Sequence, residues 1–350
     1  MTAAARREAR DVAPLTVGIE VQGASVRAMG EIAASADVGG LDAAWAPELY
    51  NRSATIAVAE MAARTSRCTV GTAIAYGVGR SPLTLAAEAR DLDELSDGRF
   101  VLGLGNGTRR MISDWHGQDP DAPAVRMEEL VTLLRKLWRQ HREPIDHEGR
   151  FYRLRFAPTG DLDTPLREEI PIYTAGVNPR MVEVAGRVAD GLLGHVLFTT
   201  GYIEDVVLPA IELGARRTDR DPKAIRVASL VLASVDDDAE AARREAAAQL
   251  AFYASAKTYA PVLERIGFAE VGAAVREAFA RVDEDAMVAA IPEAMIDALA
   301  VAGTPADVKA QLRRYEGLLD HAILYVPSYR TSPERLRENA LALIAACSTP

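Results

Sequence analysis

The stretch from Arg90 to Arg110, R-D-L-D-E-L-S-D-G-R-F-V-L-G-L-G-N-G-T-R-R, limits the fold more than any other part of the chain. A helix carrying Leu92 and Leu95 stops at Asp97-Gly98, and an uninterrupted apolar run, Phe100-Val101-Leu102, follows. Gly103, Gly105 and Gly107 then alternate ahead of two arginines. This order reads as a helix, a tight stop, an interior parallel strand and a bare-backbone loop at its carboxyl end. Two explanations fit the glycines. They let a planar or phosphorylated ligand approach the main chain, with Arg109 and Arg110 supplying positive charge, or they let a crowded strand end turn. G-L-G-N-G does not complete the G-x-G-x-x-G spacing of a dinucleotide site.

The same alternation runs along the chain. Leu15–Val21 is a first strand, and a helix from about Ser25 closes at Gly39-Gly40. Leu41–Leu49, L-D-A-A-W-A-P-E-L, is a buried strand that places Glu48 at its carboxyl end. The helix Ser53–Thr65 leads to the strand Arg67–Gly77, and Pro82 opens the helix of the central stretch. Met111–Pro123 is polar and reads as a long loop; Val125–His141 is an amphipathic helix and Ile145–Phe156 a hairpin. Strands return at Ile170–Asn178, Leu192–Phe198 and Ile225–Val235. From Ala239 to about Ala300 the chain is strongly helical, more than one strand-helix unit needs, so it is expected to be an insertion after strand seven that serves as a lid or dimer contact. His321–Val326 is strand eight, and Ser332 begins the closing helix. Strands alternating with helices imply one parallel α/β domain over residues 14–350, after a loose N-terminus at 1–13.

Composition sets bounds. A length of 350 residues suits a single TIM (β/α)8 barrel with an insertion. No run of about 18 uncharged apolar residues is present to span a bilayer, and the N-terminus lacks a signal-peptide core, so the expected location is cytoplasmic without membrane association. Cys68 and Cys347 have no metal-ligand spacing. A net charge of -10 argues against nucleic acid as a partner.

The run D-L-D-E-L-S-D-G-R-F-V-L-G-L-G-N-G, with G-T-A-I-A upstream and P-I-Y-T-A-G-V-N-P-R-M-V-E-V-A-G-R-V-A-D-G downstream, resembles the bacterial luciferase-like superfamily over about Leu15 to Ser332. Within it the chain is similar to actinobacterial oxidoreductases that use coenzyme F420, a deazaflavin; L-A-F-Y-A-S in the insertion fits one such subgroup, and relatives on the same barrel use FMN. The resemblance implies a TIM barrel whose carboxyl end holds the cofactor. Glu48 matches a strand-two acid near the deazaflavin, and Ala73-Ile74 a non-proline cis peptide behind its ring. Asn106, Gly107 and Thr108 match the strand-four loop of the pocket. Ala175, Gly176, Val177 and Asn178 match the loop along the cofactor tail, just before a helix N-terminus that favours anions. Arg109, Arg110 and Arg180 are placed to meet the tail's phosphate or glutamates.

Where sugar-phosphate dehydrogenases of this superfamily carry a catalytic histidine and glutamate, this chain has Leu49 and Thr108, which argues against sugar-phosphate oxidation. His195 and His116 remain as proton-transfer candidates, while Leu49, Tyr76 and Trp115 are candidates for the substrate side. The resemblance then implies hydride transfer between F420 and a small organic substrate bearing a C=C, C=N or C=O group. An FMN-dependent monooxygenase and a non-catalytic flavin-binding barrel are the rival readings. A homodimer is expected, with the Ala-rich Ser53–Thr65 helix as a contact.

Overall fold

The structure, a computed structural model, describes residues 14–157 and 163–348; the expected loose N-terminus lies outside the described residues. Eight parallel strands close into a barrel as expected: β1 (Thr16–Glu20), β2 (Ala43–Ala46), β3 (Thr69–Thr72), β4 (Phe100–Gly105), β5 (Ile172–Ala175), β6 (Gly191–Gly194), β7 (Arg226–Val235) and β8 (His321–Tyr325). Each pairs in parallel with the next, and β8 returns to β1 in the register Val17 to Ala322 and Ile19 to Leu324. Around them lie α1 (Val26–Val38), α2 (Ala54–Arg64), α3 (Pro82–Leu95), α4 (Pro123–Leu137), α5 (Pro179–Val188) and α6 (Leu208–Arg216). Their starts follow from local chemistry: the side chains of Ser25, Ser53, Ser81 and Asn178 each accept a backbone N–H of the first turn, and Pro82 and Pro179 open helices where no donor is missed.

Three expectations change in detail. The first part of the expected loop Met111–Pro123 is a helical turn, Met111–Trp115; Thr108 caps it, its Oγ1 accepting the Met111 N–H at 3.2 Å, and Ile112 is buried beneath it. The insertion holds α7 (Ala239–Ser255) and shorter helices through Leu299, but it ends in a strand, Ala300–Gly303, rather than in helix. That strand pairs with Leu232–Val235, where β7 runs past the barrel. A run of A-V-A-G between Leu299 and Thr304 carries too little periodicity to separate a buried strand from a helix end. Finally, the small-residue face expected on α2 is buried in the core: Ala54, Ala57 and Ala62, with Val58 and Met61.

Inside the barrel, side chains alternate between lumen and helix layer. Ile19 and Val21 join the helix-facing core, whereas Thr16, Gly18 and Glu20 face the lumen. Trp45 and Tyr173 fill the lower lumen with ring centroids 6.1 Å apart. Opposite them only glycine fits: a Cβ on Gly71 would sit 2.6 Å from the Trp45 ring.

A defined polar chain closes this layer. Trp45 Nε1–H donates to His321 Nε2 at 3.1 Å, which leaves the imidazole proton on Nδ1. Nδ1 lies 2.8 Å from Thr16 Oγ1, whose hydroxyl donates to the Asp320 carbonyl at 2.7 Å. Burial, with Arg226 adding to it, pushes the His321 pKa down to about 3, so the ring is neutral and its tautomer is set by its partners. Replacing Thr16 by valine keeps the shape but removes the acceptor for a buried N–H. Urea unfolding should show a loss of about 1 to 3 kcal/mol; an unchanged midpoint would show that this chain of bonds does not hold the barrel floor.

Candidate active site

At the carboxyl ends of the strands the lumen has two unlike walls. On β3 to β5 the inward residues are small: Ala73, Gly105 and Ala175, with Ile74 leaning over them. The Ala73-Ile74 peptide bond is cis, as the resemblance implied. The glycines of β4 answer first to their neighbours. A Cβ on Gly105 would lie 2.5 Å from Ile74 Cδ1, and one on Gly103 would strike the Thr72 carbonyl. Gly107 has φ +72, and a Cβ there would press on the Tyr76 ring. Of the two explanations left open by the sequence, crowding accounts for these glycines. Its by-product is a wall almost free of side chains.

The facing wall, from β1, β6 and β8, is polar and aromatic. Glu20 ends β1 and is 2% exposed. Burial pushes its pKa up to about 8, only partly offset by Gln22, whose Nε2 donates to Glu20 Oε1 at 3.0 Å. At neutral pH the carboxyl therefore holds its proton. Tyr325 ends β8 and is hydrogen-bonded to Gln22, Ser328 and Tyr253, and burial raises its pKa. His195 follows β6. Its ring lies 4.7 Å from that of Tyr259 and 4.9 Å from that of Tyr253, the latter edge-on. Tyr253 belongs to α7 and Tyr259 to the turn after it, so the insertion packs over this wall. Burial lowers the His195 pKa to about 4 and raises those of the tyrosines, so histidine and phenols alike are neutral.

The residues singled out from sequence fall into several environments. Glu48 does reach the bulge, but protein groups occupy its oxygens: Arg80 binds both, at 2.6 and 2.7 Å, and the Tyr76 N–H donates to Oε2 at 2.7 Å. It thus fixes the backbone beyond Ile74, whose carbonyl accepts the Glu48 N–H. Leu49 is exposed in the turn after it. The Tyr76 ring lies tilted beside that of His116, 5.1 Å between centroids, and His116 Nε2 is buried without a hydrogen-bond partner among the described residues. Trp115 packs edge-on against Tyr50 at the rim, 5.5 Å between centroids. Asn106 donates to the Pro123 carbonyl, tying the β4 loop to α4, and Thr108 caps its helical turn.

The anion-binding residues separate as well. Arg109 and Arg110 form exposed ion pairs with Asp121 and Asp114, a kind of pair that contributes about 0 to 1 kcal/mol and exchanges readily. Arg180, at the start of α5, is exposed and has no ion pair among the described residues. In the preceding loop the Gly176 N–H is taken by the Leu193 carbonyl at 3.4 Å, while no partner is seen for the N–H groups of Val177 and Asn178 among the described residues.

Sequence reading missed Glu20, Gln22, Tyr253, Tyr259 and Tyr325. For Glu20 a signal existed: in T-V-G-I-E-V the alternation puts the acid on the side of Thr16 and Gly18, away from Val17, Ile19 and Val21. Tyr253 lies in the L-A-F-Y-A-S run that carries the subgroup resemblance but gives it no role, and Tyr259 has no signal, because nothing in a helix far along the chain reports that it folds over β6.

This mouth suits a flat ring with an anionic tail. The bare wall would take the ring, and the free amides at the start of α5, with Arg180, would take negative charge. The orphaned His116 Nε2 marks a further polar contact still to be made.

A family model described as luciferase-like monooxygenase matches residues 8–322. A Mycobacterium tuberculosis protein without an assigned activity is 33% identical over 81% of this chain and 85% of its own length. A second protein of that organism, provisionally named a coenzyme F420-dependent oxidoreductase, is 27% identical over 82% and 86%. Among solved structures, the coenzyme F420-dependent tetrahydromethanopterin reductase of Methanopyrus kandleri superposes with a TM-score of 0.79 at 23% identity, covering 96% of this chain and 98% of that one.

The protonated Glu20 has a consequence for stability. Below pH 4.5 folded and unfolded chains both keep its proton; between about 4.5 and 8 only the unfolded carboxyl ionises, so stability is lost as pH rises through that window. His195 and His321 act in the other direction, costing stability as pH falls from 6.5 toward their lowered values. Glu20→Gln should therefore gain on the parent protein between pH 5 and pH 8, on the order of a few kcal/mol in denaturant unfolding. Parallel pH profiles for the two proteins would show that Glu20 is ionised when folded.

Proposed function

The chain belongs to the luciferase-like monooxygenase family, and within it we propose that it works as a coenzyme F420-dependent oxidoreductase acting on a small organic molecule with a polarised C=C, C=N or C=O group. One observation carries this reading: a buried carboxyl that keeps its proton at neutral pH stands across a narrow mouth from a wall bare enough for a flat ring. The F420-dependent relative in M. tuberculosis supports the choice of deazaflavin.

When bound, reduced F420 supplies a hydride from C5 of its ring. The chain's own residues do the rest. Ala73, Ile74, Gly105 and Ala175 shape the surface behind the ring, and the Glu48–Arg80 pair keeps that surface in place. The amides of Val177 and Asn178, with Arg180, would hold the negatively charged tail at the helix N-terminus. Tyr253, Tyr259 and Tyr325 keep water from the facing wall. Glu20 holds a proton on its carboxyl and releases it to the reduced substrate, its raised pKa matching it to the task of a general acid near neutral pH.

The test is a fluorescence titration with F420, and with FMN in parallel. F420 should bind and FMN bind more weakly; tight FMN binding without F420 binding would move the protein to the flavin-dependent branch. Arg180→Ala should weaken F420 binding by about 1 to 3 kcal/mol and flatten its dependence on salt. In Glu20→Gln, F420 affinity should persist while turnover falls by roughly 10² to 10⁴. Undiminished turnover would remove Glu20 as the acid.

A further inference from the structure

His195 has a hydrogen-bonding state that the fold determines. Its Nδ1 accepts the Leu197 N–H at 3.3 Å. A backbone amide can only donate, so Nδ1 carries no proton and the neutral ring carries it on Nε2. That Nε2–H has no hydrogen-bond partner among the described residues. Nor is it sealed in the core: His195 is half-buried, at the mouth of the lumen. Two rings of the insertion frame it. The Tyr259 ring tilts 32° from the imidazole plane at 4.7 Å, and Tyr253 meets it at 80° and 4.9 Å.

A lone donor between aromatic rings, beneath a roof, is costly unless something arrives to accept from it. What arrives must present an acceptor, because Nε2–H cannot accept. It should be uncharged at that point: no cationic side chain is paired there to hold a carboxylate, and the neighbouring Glu20, Tyr253, Tyr259 and Tyr325 are themselves neutral, oxygen-bearing groups. It should also be flat, to lie between the tyrosine rings and a cofactor ring seated on the side-chain-free wall of β3 to β5.

We propose that the substrate is a planar conjugated carbonyl compound, and that the Nε2–H of His195, framed by Tyr253 and Tyr259, receives its carbonyl oxygen. This rests on the F420-dependent reading, which leaves C=C, C=N and C=O groups open, and it selects among them. His195 then acts as a neutral hydrogen-bond donor fixed before the ligand binds, a role distinct from the proton-holding role of Glu20. Such a preset donor favours the state of the ligand in which its oxygen gains negative charge.

Binding can be measured without cofactor or turnover. The probes are acetophenone and α-methylstyrene, which share a shape but differ in having C=O or C=CH2, titrated calorimetrically into the cofactor-free protein. Acetophenone should bind more tightly. His195→Phe, which keeps a ring and deletes the donor, should weaken acetophenone roughly tenfold and leave α-methylstyrene within about twofold. Equal affinity for the two probes in the parent protein, or an equal loss of both in the variant, overturns the proposal. If His195→Phe does not fold, imidazole 15N NMR of the parent protein decides: acetophenone should shift the His195 Nε2–H signal and α-methylstyrene should not, and an unmoved signal with bound acetophenone is the contrary result. An F420 titration of the same samples separates the two levels. Retained F420 binding without carbonyl discrimination defeats only this inference, whereas discrimination without F420 binding supports it and defeats the deazaflavin reading.

Discussion

An eight-stranded barrel has a narrow lumen, and here two large rings occupy its lower half. Trp45 and Tyr173 fit only because Gly71 leaves room beside the first ring and Gly191 beside the second. Trp45 is further tied to His321 and through it to Thr16 and the Asp320 carbonyl, so the floor has a single arrangement of donors and acceptors. Above this floor lies the ring of residues at the carboxyl ends of the strands, where barrels of this kind hold their ligands.

That ring is divided by the same steric logic. The cis bulge brings Ile74 over β4, which leaves glycine as the residue that fits at 105. Bare backbone there is forced by protein neighbours and is then available to a flat ligand. Across the mouth no such crowding acts, and Glu20, His195 and Tyr325 keep their side chains. The insertion completes that side with Tyr253 and Tyr259, drying it enough that a carboxyl holds its proton and a histidine loses its own. The mouth is thus nearly uncharged in a chain of net charge -10. Arg180, exposed and without an ion pair among the described residues, stands at the start of α5.

Much of this was legible in the chain. The order of strands and helices follows from apolar runs, serine and asparagine caps and prolines, each a local signal. The cis peptide was carried by family resemblance rather than by residue chemistry. What stayed hidden depends on closure. Tyr253 reads as one more residue of an Ala-rich helix until α7 folds back over β6, and the value of Glu20 lies in its burial, which no window of sequence reports. Arg109 and Arg110 show the converse: adjacent to the glycine-rich loop in sequence, they turn outward to Asp121 and Asp114.

The central claim is that Glu20 stands protonated in a dry, two-sided mouth. Infrared difference spectroscopy between the parent protein and Glu20→Gln at pH 7 tests it without ligand or turnover. A carbonyl stretch of a protonated carboxylic acid should be present in the parent, be lost in the variant, and give way to carboxylate bands as the pH is raised past about 8. Carboxylate bands assigned to Glu20 already at pH 7 would contradict the account.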